Sequence, residues 1–437
     1  MKSLAGMILA AAVGLLSLST PAAAQGAASP AMIRMWTFLN PAGTSPREVA
    51  LADIIARFER ANPGIKVAVE PQVWDQMSPK FLAAAKAGSA PDIVWVVTDL
   101  LGQAIKSGEL ADLRPLFIDR WTDAQRAGRK DAYWDACADG AKQHCLALSR
   151  NYIGILYRRD LLHQAGIDPA SLKTWPAFTA AAQKLTERNA AGEVTRWGFG
   201  QAFSEAQADP QMMVPVMLAL QGKLFEPDGR AAFATPAGIT ALTRQTGMVT
   251  DAKVTPRDAV SWTIDDAYEA FAAGRVAMME GASVRVSTLQ AKMGADKVGL
   301  MLWPGEGGHV QSPGMAAGWA VAAWSHGKNL PAAAKFVEYI TGPEADAVWV
   351  QKAGQLPATP EGRAASAAYL NRPENQYLAI AAKGVAEHGW LVPTGIAANG
   401  FRQALNKAAQ EVLTNGLSPE AALRAAEETF NRTNRAR

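Results

Sequence analysis

A short, largely apolar run from Met32 to Phe38 predicts a strand, and the polar stretch Asn40 to Thr44 after it predicts a loop. Ser45-Pro46-Arg47-Glu48 is a capping box with proline at the first helical position. The helix it starts carries Leu51, Ile55 and Phe58 on one face and stops at Asn62-Pro63-Gly64. Ile65 to Val69 alternates as a strand does, a helix is expected around Pro79 to Ala87, and Pro91-Asp92 introduces the apolar strand Ile93 to Val97. Strands separated by helices at this spacing imply parallel pairing with right-handed crossovers, so the first part of the chain reads as α/β.

A second unit begins near Ser149. Tyr152 to Tyr157 reads as a strand, followed by Arg159 to Leu162 and a turn at Ala165 to Pro169. Thr174-Trp175-Pro176 caps a helix expected to run to about Arg188, and Trp197 to Gly200 is another strand. Helices follow at about Gln211 to Gln221, Pro236 to Met248 and Asp265 to Ala273. The last buries Ala267, Ala270 and Phe271, ends at Gly274, and leads into Val276 to Met279, short and apolar as a buried parallel strand is. Glu280 and Arg285 then stand on either side of a small-residue turn.

At the amino terminus, Lys2 precedes an apolar run from Leu4 to Leu18, then Pro21 and the small-residue site Ala22, Ala23 and Ala24. This reads as a secretory signal peptide over residues 1–24, because the run is shorter than the roughly 18–20 residues of a membrane span and ends in an Ala-x-Ala site. The exported location expected is the periplasm. The rest of the 437-residue chain exceeds one ordinary core and suggests two domains. A formal charge of +3 with interspersed Lys and Arg gives no nucleic-acid footprint. Cys137 and Cys145, eight apart in an oxidising compartment, are expected to form a disulfide. On one straight helix they would be about 12 Å apart, beyond bridging distance, so the chain must turn between them, most simply at Gly140.

The order of these segments carries a resemblance. The leader, FERANPGIKVAVE, the APDIVWV strand, GILYRRDLLHQAGID, KTWPAFTAAAQKL, AYEAFAAGRVAMMEG and AAAKFVEYITGPEADAVWVQKAGQLPATPEG together resemble the extracellular solute-binding proteins of sugar-type ABC importers, the maltose-binding-protein-like family. The resemblance covers essentially the whole mature chain. It implies a two-lobed periplasmic binding protein fold, each lobe a mostly parallel sheet flanked by helices, with about three crossings as the hinge and one ligand in the cleft. By that analogy lobe one is residues 25–148 plus 318–365 and lobe two is 152–312 plus 366–437. The crossings are expected near 149–151, 312–318 and 355–362.

Open α/β sheets bind ligands at the carboxyl ends of their strands, and that rule selects the candidates. Asn40 follows the first strand, Trp74 and Asp75 the second, and Asp99 the third, where sugar-binding relatives present a carboxylate. Asn151 lies at the first crossing, Glu205 follows the Trp197 strand, and Glu280, Ser283 and Arg285 follow Val276 to Met279. Trp319 is just past another crossing, Trp390 sits in a polar, proline-rich turn, and Phe401 begins the next helix. Carboxylates and amides suit paired sugar hydroxyls, while an aromatic face covers the apolar face of the ring. Trp36, Trp95 and Trp349 lie in apolar patterns and read as core. Asp75 reads equally as a helix cap.

One departure from the resemblance concerns the ligand. Where maltose-binding relatives place stacking aromatics, this chain has Ser283 and Arg285. An arginine there suits a carboxylate, a phosphate or vicinal hydroxyls, or it supports the fold by pairing with Glu280. The alternative ligand is therefore anionic: a sugar phosphate, a glycerol phosphodiester or a sugar acid.

A secreted glycan hydrolase is the rival from another class, but no carboxylate spacing identifies a catalytic pair. Ser325-His326-Gly327-Lys328 fits S-x-x-K without its companion motifs, and Gly305-Glu306-Gly307-Gly308 lacks the Lys-Ser/Thr of a phosphate loop. His144, His163, His309, His326 and His388 show no metal-ligand spacing. The sequence thus predicts a monomeric receptor that takes a small molecule, a sugar, oligosaccharide or polyol, to inner-membrane permease subunits. No cofactor, metal, nucleic acid or catalysis is expected.

Overall fold

Ser45 caps the first helix as expected. Its hydroxyl accepts from the Glu48 amide while the Glu48 carboxylate accepts from the Ser45 amide at 3.1 Å, starting the helix Pro46–Ala61. The structure, a computed structural model, describes residues 30–206 and 212–434; the leader expected at 1–24 lies outside the described residues.

Along the chain, β1 (Ala31–Thr37), β2 (Ile65–Pro71) and β3 (Ile93–Val97) alternate with helices. The short hairpin β4 (Ala138–Asp139) and β5 (Lys142–Gln143) precedes β6 (Leu146–Ala147). Then come β7 (Asn151–Arg158), β8 (Glu187–Arg188), β9 (Val194–Gly200), β10 (Val276–Ala282), β11 (Val298–Met301) and β12 (Gly314–Ala317). β13 (Trp319–Ala323) and β14 (Gly389–Trp390) complete the strands. The first sheet has the order β2-β1-β3-β13-β6 and the second β14-β12-β7-β10-β9-β8, with β11 paired to β7. The chain therefore leaves the first sheet between β6 and β7 and returns between β12 and β13. It passes over again between the helix Pro343–Ala353, packed on Pro46–Ala61, and the helix Gln376–His388, packed on β7, β11 and β12.

Within the expected α/β lobes, the sheets mix parallel and antiparallel pairs. β1 runs parallel to β2 and β3, but β13 is antiparallel to β3, with Trp319 opposite Val97; β7 is antiparallel to β10, β11 and β12. The cause is connectivity. β13 and β7 each enter their sheet from a crossing, so they run away from the gap between the lobes, while most of their neighbours run toward it. The carboxyl ends of the remaining long strands consequently face one another across that gap.

Other differences are local. The helix expected to reach Arg188 ends at Leu185, since Glu187 and Arg188 turn back as β8 against β9. The strand expected at Val276 to Met279 continues to Ala282, so Glu280 and Gly281 are paired residues opposite Ile155 and Gly154 rather than a turn. The helix expected from Gln211 is described from Met213. The chain does turn at Gly140, whose φ of 57° is the left-handed conformation that glycine adopts without strain. That turn brings Cys137 and Cys145 to a Cα separation of 5.1 Å, and they are bonded. Trp36, Trp95 and Trp349 are core residues, all 5% exposed or less.

Candidate functional site

The strand orders define two sides of the crossings. On one side, the loops after β2, β1 and β3 face those after β10 and β9. On the other, the β6 edge faces β14. Each side holds a cavity bridging the sheets. The first, about 60 Å³, is lined by Trp74 and Asp75 from the loop after β2, Glu205 from the loop after β9, and Asn399, Arg402 and Gln403 of the helix Ala398–Asn415. The second, about 530 Å³, lies behind the crossings, against Tyr133, Arg150, Leu356 and Val385. Only the first lies where strand carboxyl ends converge from both lobes, so it marks the candidate site despite its smaller volume.

Of the sequence-selected residues, Trp74, Asp75 and Glu205 line that cavity, while Asn151, Trp319, Asp99 and Asn40 stand at the crossings or strand ends outside its lining. Trp74 and Asp75 are partly buried, and Asp75 Oδ1 is enclosed without a hydrogen-bond partner. Asn151, the first residue of β7, is 6% exposed, and its Oδ1 likewise has no partner. Trp319 is partly exposed at the second crossing; its amide donates to Ser149 Oγ at 3.1 Å and its ring lies 4.7 Å from Phe38. Asp99 is on the 3-10 turn Thr98–Leu100 after β3, and its side chain lies outside the described residues. Glu205 is exposed beside Lys407, and Asn40 caps its own loop by accepting from the Ala42 amide.

Other candidates are placed elsewhere. Glu280 is completely buried, and its carboxylate accepts from the Ala202 amide at 3.3 Å, tying β10 to the loop after β9. It is a core residue because the strand outlasts its apolar stretch. Ser283 is 2% exposed and accepts from the Tyr152 amide at 3.2 Å. Phe401 has no exposed surface and lies among Phe225, Phe233 and Trp390, while Trp390 stacks on Phe225 at 6.4 Å. The helix face that carries Phe401 points into lobe two instead of the gap.

Arg285 does not pair with Glu280. Its guanidinium bonds Asp265 and lies 4.8 Å from the Tyr268 ring centroid, while the Tyr268 hydroxyl accepts from the Ala282 amide at 2.7 Å. Across the gap stands Arg47, at the start of the helix Pro46–Ala61, its guanidinium 5.1 Å from the Phe38 ring. Burial and then the nearby Arg285 charge push the Arg47 pKa down to about 10, which leaves it protonated at neutral pH. Burial likewise pushes Arg402, 4% exposed, to about 10.

Arg47, Arg402, Asn399 and Gln403 were not selected from the sequence. Arg47 reads there only as part of a capping box. Arg402 follows an aromatic at the start of an ordinary amphipathic helix, and nothing in its spacing marks it.

Two α/β lobes joined by crossings, with a polar cavity at the converging strand ends, define a two-lobed binding protein. The chain belongs to the family of bacterial extracellular solute-binding proteins, whose profile matches residues 53–376. A putative ABC transporter periplasmic-binding protein, YcjN of Escherichia coli (strain K12), is 24% identical over 72% of this chain and 70% of its own length. A putative binding protein of Brucella abortus (strain 2308) is 24% identical over 80% of this chain and 81% of its own. Among solved structures, a solute-binding protein from Thermotoga lettingae TMO bound with alpha-D-tagatose superposes with a TM-score of 0.80 at 23% identity, over 92% of this chain and 100% of that one. An ABC substrate-binding protein from Listeria monocytogenes in complex with cycloalternan gives 0.78 at 23% identity, over 93% and 99%. These structural likenesses establish the fold. Among the described residues no helix is long and apolar enough to cross a membrane.

Proposed function

We propose that this chain is the periplasmic receptor of an ABC importer, closing on a carbohydrate between its lobes and delivering it to membrane permease subunits. The observation that carries the reading is the polar cavity between the lobes, where Trp74 and the enclosed, unpartnered Asp75 Oδ1 meet Glu205 and Arg402, with a second unpartnered acceptor, Asn151 Oδ1, and the partly exposed Trp319 ring at the crossings. A buried polar atom without a partner costs about 1–3 kcal/mol, a cost that ligand hydroxyls would remove. The rings offer apolar faces to a sugar. Solved neighbours of the same fold, one bound with alpha-D-tagatose and one in complex with cycloalternan, support the ligand class.

In this reading lobe one is residues 25–148 plus 318–365 and lobe two is 152–312 plus 366–437, hinged near 149–151, 312–318 and 355–362. The cavity is smaller than the roughly 300–1,000 Å³ of a typical small-molecule site. Entry therefore requires the lobes to part, and a ligand touching both then selects the closed state. Ligand contacts fall to Trp74, Asp75, Asp99, Asn151 and Trp319, with Asn40 and Glu205 at the rim and Arg402 added. The receptor acts as a monomer, is exported by its leader, and binds without turnover.

A thermal-shift panel of mono- and oligosaccharides on the purified mature chain tests this. A ligand at 100 times its dissociation constant stabilises the fold by about 2.7 kcal/mol. Silence from every carbohydrate, or recovery of cleaved glycan after incubation, would overturn it.

A further inference from the structure

The arrangement around Arg47 narrows the ligand within that reading. Arg47 comes from lobe one and Arg285 from lobe two, and the helices that carry or follow them, Pro46–Ala61 and Val286–Met293, touch. Of the nearby carboxylates, Asp265 is committed to Arg285. Glu48 is turned into its own cap, accepting from the Ser45 amide at 3.1 Å, the Ser45 hydroxyl at 2.7 Å and the Asn40 amide at 3.2 Å. Arg47 makes no ion pair among the described residues, and its Nε is enclosed without a hydrogen-bond partner. Its charge also stands at the amino end of a 16-residue helix, where the backbone dipole adds further positive potential.

Closing the lobes thus brings one compensated and one uncompensated guanidinium together. A neutral sugar leaves that repulsion in place. An anionic group set between them converts it into an attraction that only the closed form enjoys, coupling charge recognition to closure.

We propose that the carbohydrate carries an oxyanion substituent, a carboxylate or a phosphate, received by Arg47 and Arg285 from opposite lobes. The proposal rests on the carbohydrate reading above. Phe38 and Tyr268 each lie under one guanidinium and help hold it in place.

The test is titration calorimetry with matched sets: glucose, glucuronate and glucose 6-phosphate; galactose, galacturonate and galactose 6-phosphate; and digalacturonate against a neutral disaccharide. At least one acidic member should bind roughly tenfold or more tighter than its neutral parent, and Arg47→Gln should bring that ratio close to one. Response to uronates alone assigns a sugar acid, and response to phosphates alone a sugar phosphate. Neutral sugars binding as tightly as their acids would overturn this proposal and leave the carbohydrate receptor standing. Silence from every member would remove both. If Arg47→Gln does not fold, as read by circular dichroism, Arg285→Gln carries the same measurement. An acid-to-neutral ratio in the wild type that stays constant from low to high salt would also overturn the proposal.

Discussion

The carbonyl oxygen of Thr394 stands 2.0 Å from where a Cβ on Gly102 would lie. Gly102 is on the helix Leu101–Lys106 that follows β3, and Thr394 is on the segment between β14 of the second sheet and the helix Ala398–Asn415. Two backbones meet here across the lobes, and only the missing side chain lets them. An alanine at a helical position ordinarily gains about 1 kcal/mol over glycine, so Gly102→Ala should cost the isolated lobe nothing. It should instead keep the lobes from meeting and weaken ligand binding by roughly ten- to a hundredfold without touching the ligand. Calorimetry paired with solution scattering checks this: a variant that binds and closes like the wild type would show that the contact can be given up.

Asp346, in the first turn of the helix Pro343–Ala353, reaches to the loop that follows that helix and holds it. It is 3% exposed and accepts from the Ala358 amide at 2.9 Å, the Thr359 amide at 2.8 Å and the Thr359 hydroxyl at 2.7 Å. Asp346→Ala leaves those donors buried and should cost about 2–4 kcal/mol in denaturant unfolding.

The same carboxyl predicts a pH dependence. Burial, the largest influence, holds its pKa above the ordinary 3.8 despite the hydrogen bonds. A raised carboxyl pKa means that the folded state binds the proton more tightly than the unfolded one. Its contribution is therefore fully present below the unfolded value and lost as pH rises through the folded one. Wild-type stability should fall relative to Asp346→Asn as pH increases across that window. A gap that widens in favour of the wild type would contradict the direction.

The Cys137–Cys145 bond closes a loop with a sequence separation of 8, and both sulfurs are buried. Chain entropy for so short a loop gives about 2–3 kcal/mol. The double substitution Cys137→Ala with Cys145→Ala should lower the unfolding midpoint accordingly. The bond lies on the β6 side of the crossings, away from the candidate site, so sugar affinity should not change.

What the sequence made legible was what local chemistry determines: the Ser45–Glu48 cap, the turn at Gly140 and the buried tryptophans. Strand direction was not legible, because β7 and β13 run as they do through entering from the crossings, a property of the whole path. Glu280 shows another limit. A charge usually ends a buried strand, but this one is retained inside because the Ala202 amide partners it. Phe401 and Arg402 are neighbours on one helix, and which of them reaches the cavity depends on how that helix docks, which the apolar pattern alone does not give.

Trp95 and Trp319 belong to one aromatic group but differ in exposure. Their ring centroids are 6.4 Å apart, yet Trp95 is 2% exposed between Trp319 and Trp349, whereas Trp319 keeps part of its surface toward the gap. Removing Trp95 empties a core site, so Trp95→Ala should cost about 3–5 kcal/mol. Removing Trp319 should cost less stability, since Phe38 can settle toward the space. If Trp319 covers the apolar face of a sugar, Trp319→Ala should lose about 1–2 kcal/mol of binding, roughly ten- to thirtyfold in affinity, and Trp319→Phe should recover much of it. Calorimetry on the three variants, alongside urea unfolding, reads both quantities. Unchanged affinity in Trp319→Ala would remove this ring from the site and move the stacking role to Trp74.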